Sequence, residues 1–183
     1  MKLGIDVRQS DQQLRGSYSL PKGIGKSLRV IVFAQGDKAD EAREAGAIEV
    51  GDEDLVKKIE DGWMDFDVAI ASPDMMRFVG KLGRTLGPKG LMPSPKSGTV
   101  TNDVAQAVSE FAAGKIEYRT DNTGNVHVPV GKKSFEAGDL VQNISAFIDH
   151  IKASKPTGTK GRFIEKAVVS TTMSPGLRLE TGS

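Results

Sequence analysis

The chain has 183 residues, a hydrophobic fraction of 38% and a formal net charge of +1, so it is long enough for one large or two small domains, each with its own core. It contains no cysteine, which excludes disulfides, thiolate zinc sites and cysteine nucleophiles. The sequence has neither a run of about eighteen apolar residues nor a basic-then-apolar signal segment, and it therefore predicts a cytoplasmic protein with no membrane partner.

The small net charge is the sum of two regions of opposite sign. Residues 1–27 and 115–183 carry 15 basic and 9 acidic side chains, whereas residues 28–114 carry 10 and 15. Within the second region, residues 37–74 hold 13 acids, and residues 75–102 hold 5 basic side chains and no acid. This distribution favours binding of a polyanion, because clustered cations raise the local potential.

The predicted elements begin with a strand and continue as repeated strands and helices. Apolar residues alternate at Leu3, Ile5 and Val7, which is typical of a half-exposed strand. Three short, continuous apolar runs follow, separated by helix-forming segments, at residues 28–34, 48–50 and 68–71. Continuous apolar runs are typical of strands buried on both faces, so this region predicts a parallel sheet covered by helices.

Two further helix starts are predicted in this region. Ser72-Pro73-Asp74 supplies a cap, a proline at the first helical position and an acid near the positive end of the dipole. Asn102 is the predicted cap of a last helix whose apolar stripe contains Val104, Val108 and Phe111.

Between those starts lies the segment GRTLGPKGLMPSPKSGTVT, residues 83–101, with four glycines, three prolines and three basic residues. Its composition predicts a shaped loop and not a helix or strand. The apolar side chains of Leu86, Leu91 and Met92 can hold the loop to its domain. The three cations, Arg84, Lys89 and Lys96, can then face outward. A solvated connector would be shorter and more polar, so the loop favours contact with phosphates of RNA or another polyanion.

The C-terminal flank predicts strands and one long helix. Residues 116–120 and 126–130 are joined by Asp121-Asn122-Thr123-Gly124-Asn125, which predicts a hairpin. A long helix follows, whose apolar face contains Leu140, Ile144, Phe147, Ile148 and Ile151. A final strand is predicted near residues 163–172. The flanks thus predict one α+β unit interrupted by an α/β insertion, with small-residue crossings that favour a rocking hinge.

Several motifs are compatible with catalysis, but each has a simpler interpretation. Gly25-Lys26-Ser27 ends like a P-loop, yet Leu20 stands where that motif needs glycine. Asp61, Asp65 and Asp67 lack the spacing of an EF-hand. The two histidines, His127 and His150, lie in no triad or zinc motif. No catalytic residue, metal or cofactor is predicted, and the alternative is a small α/β enzyme that binds a phosphorylated ligand at the carboxyl ends of the central strands.

The segment 83–101 resembles the signature of the L-one family of large-subunit ribosomal proteins, which belong to the mobile stalk. The similarity covers essentially the whole chain in the expected order, through LGIDVRQSDQQLRG, LPKGIGKSLRV, DGWMDFDVAIASPDMM, TDNTGNVHVPVGKKSF and STTMSPG. A match of this extent is specific, and it resembles the bacterial type.

The resemblance implies two domains. A discontinuous α+β domain, residues 1–24 and 115–183, would bind ribosomal RNA, and residues 25–114 would form an inserted Rossmann-like three-layer α/β domain. The implied RNA contacts lie in two turns, with Thr171, Thr172, Met173 and Ser174 in one and Arg119, Asp121 and Thr123 in the other.

The resemblance also implies a function that needs no catalysis. A family member is a structural constituent of the large ribosomal subunit that binds ribosomal RNA of the stalk and assists movement and release of transfer RNA at the exit site. It represses translation of its own operon messenger RNA, and outside the ribosome we expect it to be a monomer.

Two departures from the family pattern are visible. Ser174 stands where the family usually has glycine, which would crowd the RNA site if this position needed a positive φ. Family members also begin a few dozen residues earlier, so the chain is expected to lack an N-terminal segment that carries part of the RNA surface.

Overall fold

The computed structural model describes residues 1–9, 11–156, 158–159 and 161–181. Its strands are β1 (Lys2–Leu3), β2 (Arg15–Ser19), β3 (Val30–Phe33), β4 (Glu49–Gly51), β5 (Val68–Ala71), β6 (Lys115–Arg119), β7 (Ile164–Val169) and β8 (Leu177–Leu179). Its helices are α1 (Asp37–Glu44), α2 (Glu53–Glu60), α3 (Met76–Val79), α4 (Gly83–Leu86), α5 (Val104–Ala112) and α6 (Ala137–Ala153), with 3₁₀ turns at Pro73–Met75, Gly80–Leu82 and Pro95–Ser97.

The chain divides into two compact units. Met1–Gly25 and Ile116–Ser183 form one, which we call the split unit, and Lys26–Lys115 forms the other, which we call the central unit. Among the described residues, no helix combines the length and apolar character needed to cross a bilayer.

The central unit is built on a parallel sheet of three strands in the order β4-β3-β5. All four residues of β3 are buried, and successive residues face opposite sides of the sheet. Ile31 and Phe33 therefore contribute to one core with α2 and Leu82, whereas Val30 and Val32 contribute to another with α1 and α5. The predicted parallel sheet with helices on both faces is confirmed.

The basic segment 83–101 is only partly a loop. It begins with one helical turn, α4, and the prediction that the whole segment lacks helix was wrong at this end. Leu82 and Leu86 are both fully buried, and a helical turn places residues four apart on one side, so the core draws the first four residues into helix. The next helix, α5, is capped by Asp103, whose carboxylate accepts from the Gln106 N–H; Asn102, the predicted cap, does not have this role.

The split unit contains two small sheets, β1-β7-β8 and β2-β6, together with α6. The predicted first strand is wrong beyond Leu3, because a local turn ends it: the Asp6 carboxylate accepts from the Arg8 N–H at 3.0 Å, a bond that competes with strand pairing. Strand β2 was not predicted; it lies beside β6, where Arg15 and Glu117 form an ion pair of 2.9 Å.

The predicted hairpin after β6 is also wrong in its second strand. Val126 exchanges hydrogen bonds with the start of the chain, donating to the Met1 carbonyl at 2.8 Å and accepting from its amino group at 2.7 Å. Pro129 has no N–H to donate and cannot extend a ladder. Residues 126–130 therefore contribute only an isolated bridge, between Val126 and Thr120.

Candidate RNA interface

A bulge in β7 turns polar side chains to the open face of the β1-β7-β8 sheet. Lys2 lies opposite Lys166 and Leu3 opposite Ile164, so one extra residue, Glu165, is inserted in β7. Ile164 and Ala167 are buried, whereas Glu165 and Lys166 are exposed. An inserted residue shifts the alternation of faces by one, and in this strand it turns Lys166 to solvent.

The open face carries three cations beside apolar residues. Lys2 and Lys166 are cross-strand partners, and Val168 is opposite Arg178. Since residues two apart in a strand share a face, Lys166, Val168 and Arg178 lie on the same side. Directly opposed like charges are unfavourable, so the Lys2–Lys166 pair is a place where an anion would be stabilising.

The turn between β7 and β8 presents a large apolar side chain beside hydroxyl groups. Met173 is 94% exposed and Leu177 is 64% exposed, and Thr171 and Thr172 are exposed beside them. The Ser174 hydroxyl closes the turn by accepting from the Thr171 N–H at 2.8 Å. No described residue other than glycine has a positive φ, so Ser174 does not have the backbone conformation on which the expected crowding depended.

The second predicted turn is organised by the Asp121 carboxylate. Its Oδ1 accepts from the Thr123 N–H at 2.8 Å, the Thr123 hydroxyl at 2.7 Å and the Asn125 N–H at 2.8 Å. The bond from the Asn125 backbone, followed by those from Thr123, holds the pKa of Asp121 well below its usual range. Arg119 and Thr123 are exposed, and the Thr123 carbonyl accepts from Lys2.

The two turns lie at different places on the same sheet. Lys2 bridges Asn125 on one side and Lys166 on the other, so the Asp121 turn lies near the beginning of β7. The Thr171 turn follows its end. With a rise of about 3.3 Å per strand residue, five residues separate Lys166 from Thr171 by roughly 16 Å. The structure thus brings together the members of each turn but not the two turns.

The third predicted cluster belongs to the central unit, on a segment whose apolar residues pack in the core. Arg84, Lys89 and Lys96 are all exposed, and the Lys89 Nζ lies 2.7 Å from the Met64 Sδ. Leu86 is fully buried, and Leu91 and Met92 pack against the same core, as predicted.

Buried hydroxyl groups stiffen the end of that loop. The Thr99 Oγ1 accepts from the Ser94 N–H at 2.8 Å and lies 3.1 Å from the Ser97 Oγ. Val100 then forms a parallel bridge with Ala71. The loop is therefore fastened to the edge of the sheet beside β5.

The crevice at the carboxyl ends of β3 and β4 does not suit a phosphorylated ligand. It has a volume of about 590 Å³ and is lined by several acids, namely Asp40, Glu49, Asp52 and Asp54. Its two cations are already paired, Arg43 with Asp40 at 3.0 Å and Lys58 with Glu49 at 2.5 Å. Within the described residues, no group of three or more histidine or carboxylate side chains is placed to share a metal ion.

Sequence reasoning missed Lys166, Val168, Arg178 and Leu177. Residues 165–169 read EKAVV, two charged residues followed by three apolar ones, so the bulge at Glu165 leaves no alternation from which the exposed face could be predicted. Strand β8 has only three residues, too few for a periodicity to be read.

Comparison with known proteins identifies the class to which this fold and surface belong, the ribosomal proteins. Residues 1–175 match the sequence model of the Ribosomal protein L1p/L10e family, and the chain belongs to this family. Members of the family are structural components of ribosomes, so the prediction that the chain is not an enzyme is confirmed, as is its expected location with the ribosome in the cytoplasm.

Curated relatives agree over nearly the whole chain. The protein named Large ribosomal subunit protein uL1 from Thermosipho melanesiensis is 58% identical over 180 residues, covering 98% of this chain and 78% of the relative. The proteins of the same name from Lactiplantibacillus plantarum and Kosmotoga olearia are 59% and 55% identical, covering 100% and 98% of this chain and 80% and 78% of the relatives.

Proposed function

We propose that this protein is a structural constituent of the large ribosomal subunit that binds ribosomal RNA of the mobile stalk through the split unit. The observation that carries the proposal is the open face of the β1-β7-β8 sheet. There Lys2, Lys166 and Arg178 lie beside Val168 and the exposed Thr171 turn.

The chemistry of this face suits a folded RNA. Cations neutralise phosphates, and threonine hydroxyls bond to phosphates and 2′-hydroxyls. The exposed thioether of Met173 can cover a base or sugar face, which explains why so apolar a side chain lies in water in the free protein. Asp121 contributes by shaping its turn, because its carboxylate is occupied by donors of the protein itself.

We propose two further roles from the resemblance to the family. In the ribosome, the central unit and its basic residues Arg84, Lys89 and Lys96 contact transfer RNA at the exit site and assist its movement and release. In free, monomeric form the split unit binds a similar RNA fold in the messenger RNA of the protein's own operon and represses translation.

The test is the affinity of the full chain for a stalk RNA fragment, measured at several salt concentrations. Lys166→Gln with Arg178→Gln should reduce the log–log salt slope by about 1.4 to 1.8, since each phosphate contact contributes about 0.7 to 0.9, and should weaken binding at least tenfold. The matched control is Lys132→Gln with Lys133→Gln, which removes two exposed charges from the same unit. Equal losses in the two proteins would refute the assignment of the open face.

A further inference from the structure

A second cationic surface lies on the central unit, along the helical run that extends from Pro73 to Leu86. Arg77 and Lys81 are four residues apart and Arg84 is three residues further on, so the three side chains share one side of the run. All three are exposed. None of the ion pairs between described residues of this unit includes them.

An aromatic ring, and not a carboxylate, holds two of these cations. The Arg77 guanidinium lies 4.7 Å from the centroid of the Phe78 ring, and the Lys81 ammonium lies 5.8 Å from it. Phe78 is half-buried and packs against the core of the unit, so the ring is fixed in place. Cation–π contacts position a charge without neutralising it, and both cations keep their full charge for a partner.

The distribution of charge indicates what that partner is. The acids of residues 37–74 lie mainly on α1, α2 and their flanks, with one, Asp74, at the start of the helical run, whereas residues 75–102 contain no acid. A polyanion is therefore attracted to the helical run and repelled from α1 and α2. Within the run, a Cβ added at Gly80 or Gly83 would meet no atom within 4 Å, so a sugar–phosphate strand can approach the helix backbone between the cations.

We infer that Arg77, Lys81 and Arg84, with Phe78 as a positioning residue, form a second RNA-binding surface that contacts phosphates of transfer RNA without reading its sequence. The choice of transfer RNA rests on the proposed function, in which the stalk RNA occupies the split unit. The surface adds Arg77, Lys81 and their ring to the loop cations already described.

The experiment uses the full chain saturated with a stalk RNA fragment and titrated with transfer RNA. Arg77→Gln with Lys81→Gln should weaken transfer RNA binding at least tenfold and lower the salt slope by about 1.4 to 1.8. The matched control is Arg43→Gln with Lys57→Gln, which removes two exposed charges from α1 and α2 of the same unit and should change the affinity less than twofold. Phe78→Leu keeps an apolar side chain in the core but removes the ring, and should weaken binding about threefold.

The outcomes separate this inference from the proposed function. Equal transfer RNA affinity in the helical-run variant and its control would overturn the inference, and so would failure of the wild-type chain to bind transfer RNA. If the helical-run variant instead loses the stalk fragment, the choice of RNA is wrong. Loss of stalk RNA on changing Lys166 and Arg178 supports the proposed function whichever of these results is obtained.

Discussion

The side-chain amide of Asn143 donates a hydrogen bond of 2.9 Å to the carbonyl oxygen of Gly23. The same side chain accepts from the Lys22 N–H at 3.0 Å and donates to the Val130 carbonyl at 2.9 Å. Asn143 is fully buried on α6, so three backbone groups of two separate segments obtain their partners from one amide. This arrangement fixes the chain just before it leaves the split unit.

Replacing Asn143 with leucine should therefore destabilise the protein. The change leaves one N–H and two carbonyl groups without their partner, each worth about 1 to 3 kcal/mol when fully buried. Because Lys22 is exposed and Gly23 and Val130 are half-buried, we expect the free energy of unfolding to fall by about 2 to 4 kcal/mol, near the lower end of that sum. Urea denaturation measures the change. The neighbouring exposed residue provides the control, since Gln142→Leu should stay within about 0.5 kcal/mol of wild type; an Asn143 variant as stable as this control would contradict the prediction.

The stability that the Asp121 turn gives to the folded protein should depend on pH. Because hydrogen bonds from Asn125 and Thr123 lower the pKa of Asp121 in the folded state, the carboxylate stabilises the protein above its unfolded pKa of about 3.9, and this contribution is lost as the pH falls below it. Asp121→Ala should lower the melting temperature at pH 7 and have a smaller effect at pH 3. Asp149→Ala, at an exposed carboxylate, should change neither value appreciably. An equal decrease at both pH values for Asp121→Ala would argue against this role.

His150 should give the split unit a second pH dependence. Burial lowers the pKa of its imidazole below the ordinary value of 6.5, while the ring stacks on Tyr18 at 4.2 Å and lies 2.9 Å from the Tyr118 hydroxyl. The neutral form is therefore favoured in the folded state, and stability is fully present above about pH 6.5 and lost as the pH falls below it.

The corresponding measurement compares two variants of α6. His150→Gln should flatten the dependence of the melting temperature on pH between about pH 7.5 and 5, whereas Ser145→Ala, at an exposed position that carries no titratable group, should leave it unchanged. If the His150 variant keeps the slope of the wild-type curve, another group is responsible for the dependence.

The close approach at Gly4 should tolerate no side chain. A Cβ there would lie 2.4 Å from the Arg162 carbonyl oxygen, and the Gly4 N–H donates to the Phe163 carbonyl at 2.8 Å. Gly4→Ala should push β1 away from β7 and cost about 1 to 3 kcal/mol of stability. In Gly138→Ala the new Cβ meets no atom within 4 Å, and this helical substitution should be neutral or stabilising. Thermal denaturation of the Gly4→Ala and Gly138→Ala variants tests this prediction.

The Thr172 hydroxyl should contribute to RNA affinity and not to folding. Thr172→Val removes an exposed hydroxyl and should weaken binding of the stalk fragment by about 1 to 3 kcal/mol, with an unchanged melting temperature. Ser145→Ala removes an exposed hydroxyl from α6 and provides the control. Unchanged affinity in the Thr172 variant would remove this residue from the site.

The parts of the fold that could be predicted are those set by local pattern. The runs around Ile31 and Ile70 are apolar throughout because both faces of their sheet are covered by helices. A strand of this kind can be predicted from its continuous apolar sequence alone. The hairpin expected after β6 closes only at the bridge between Thr120 and Val126. Its second strand was wrong, because Val126 also pairs with Met1, 125 residues away. No local pattern encodes such a pairing.

The candidate site also contains residues that local motifs predicted and residues that only the structure revealed. Residues in turns, such as Thr172 and Asp121, were found from their motifs, whereas Lys166 and Arg178 acquire their position from strand register. Their common face depends on which residue of β7 lies opposite which residue of β1 and β8. Register is a property of the assembled sheet, and for that reason the cations of the open face became evident only in the structure.

The extra residue at Glu165 is one that β7 could lose without exchanging its two faces. Glu165 and Lys166 both face solvent between the buried residues Ile164 and Ala167. Deleting Glu165 would restore strict alternation and leave Lys166 and Val168 outside and Ala167 inside, because a bulge places two residues opposite one. The charged row of the open face therefore depends on the register of β7 with its neighbours and would survive removal of the bulge.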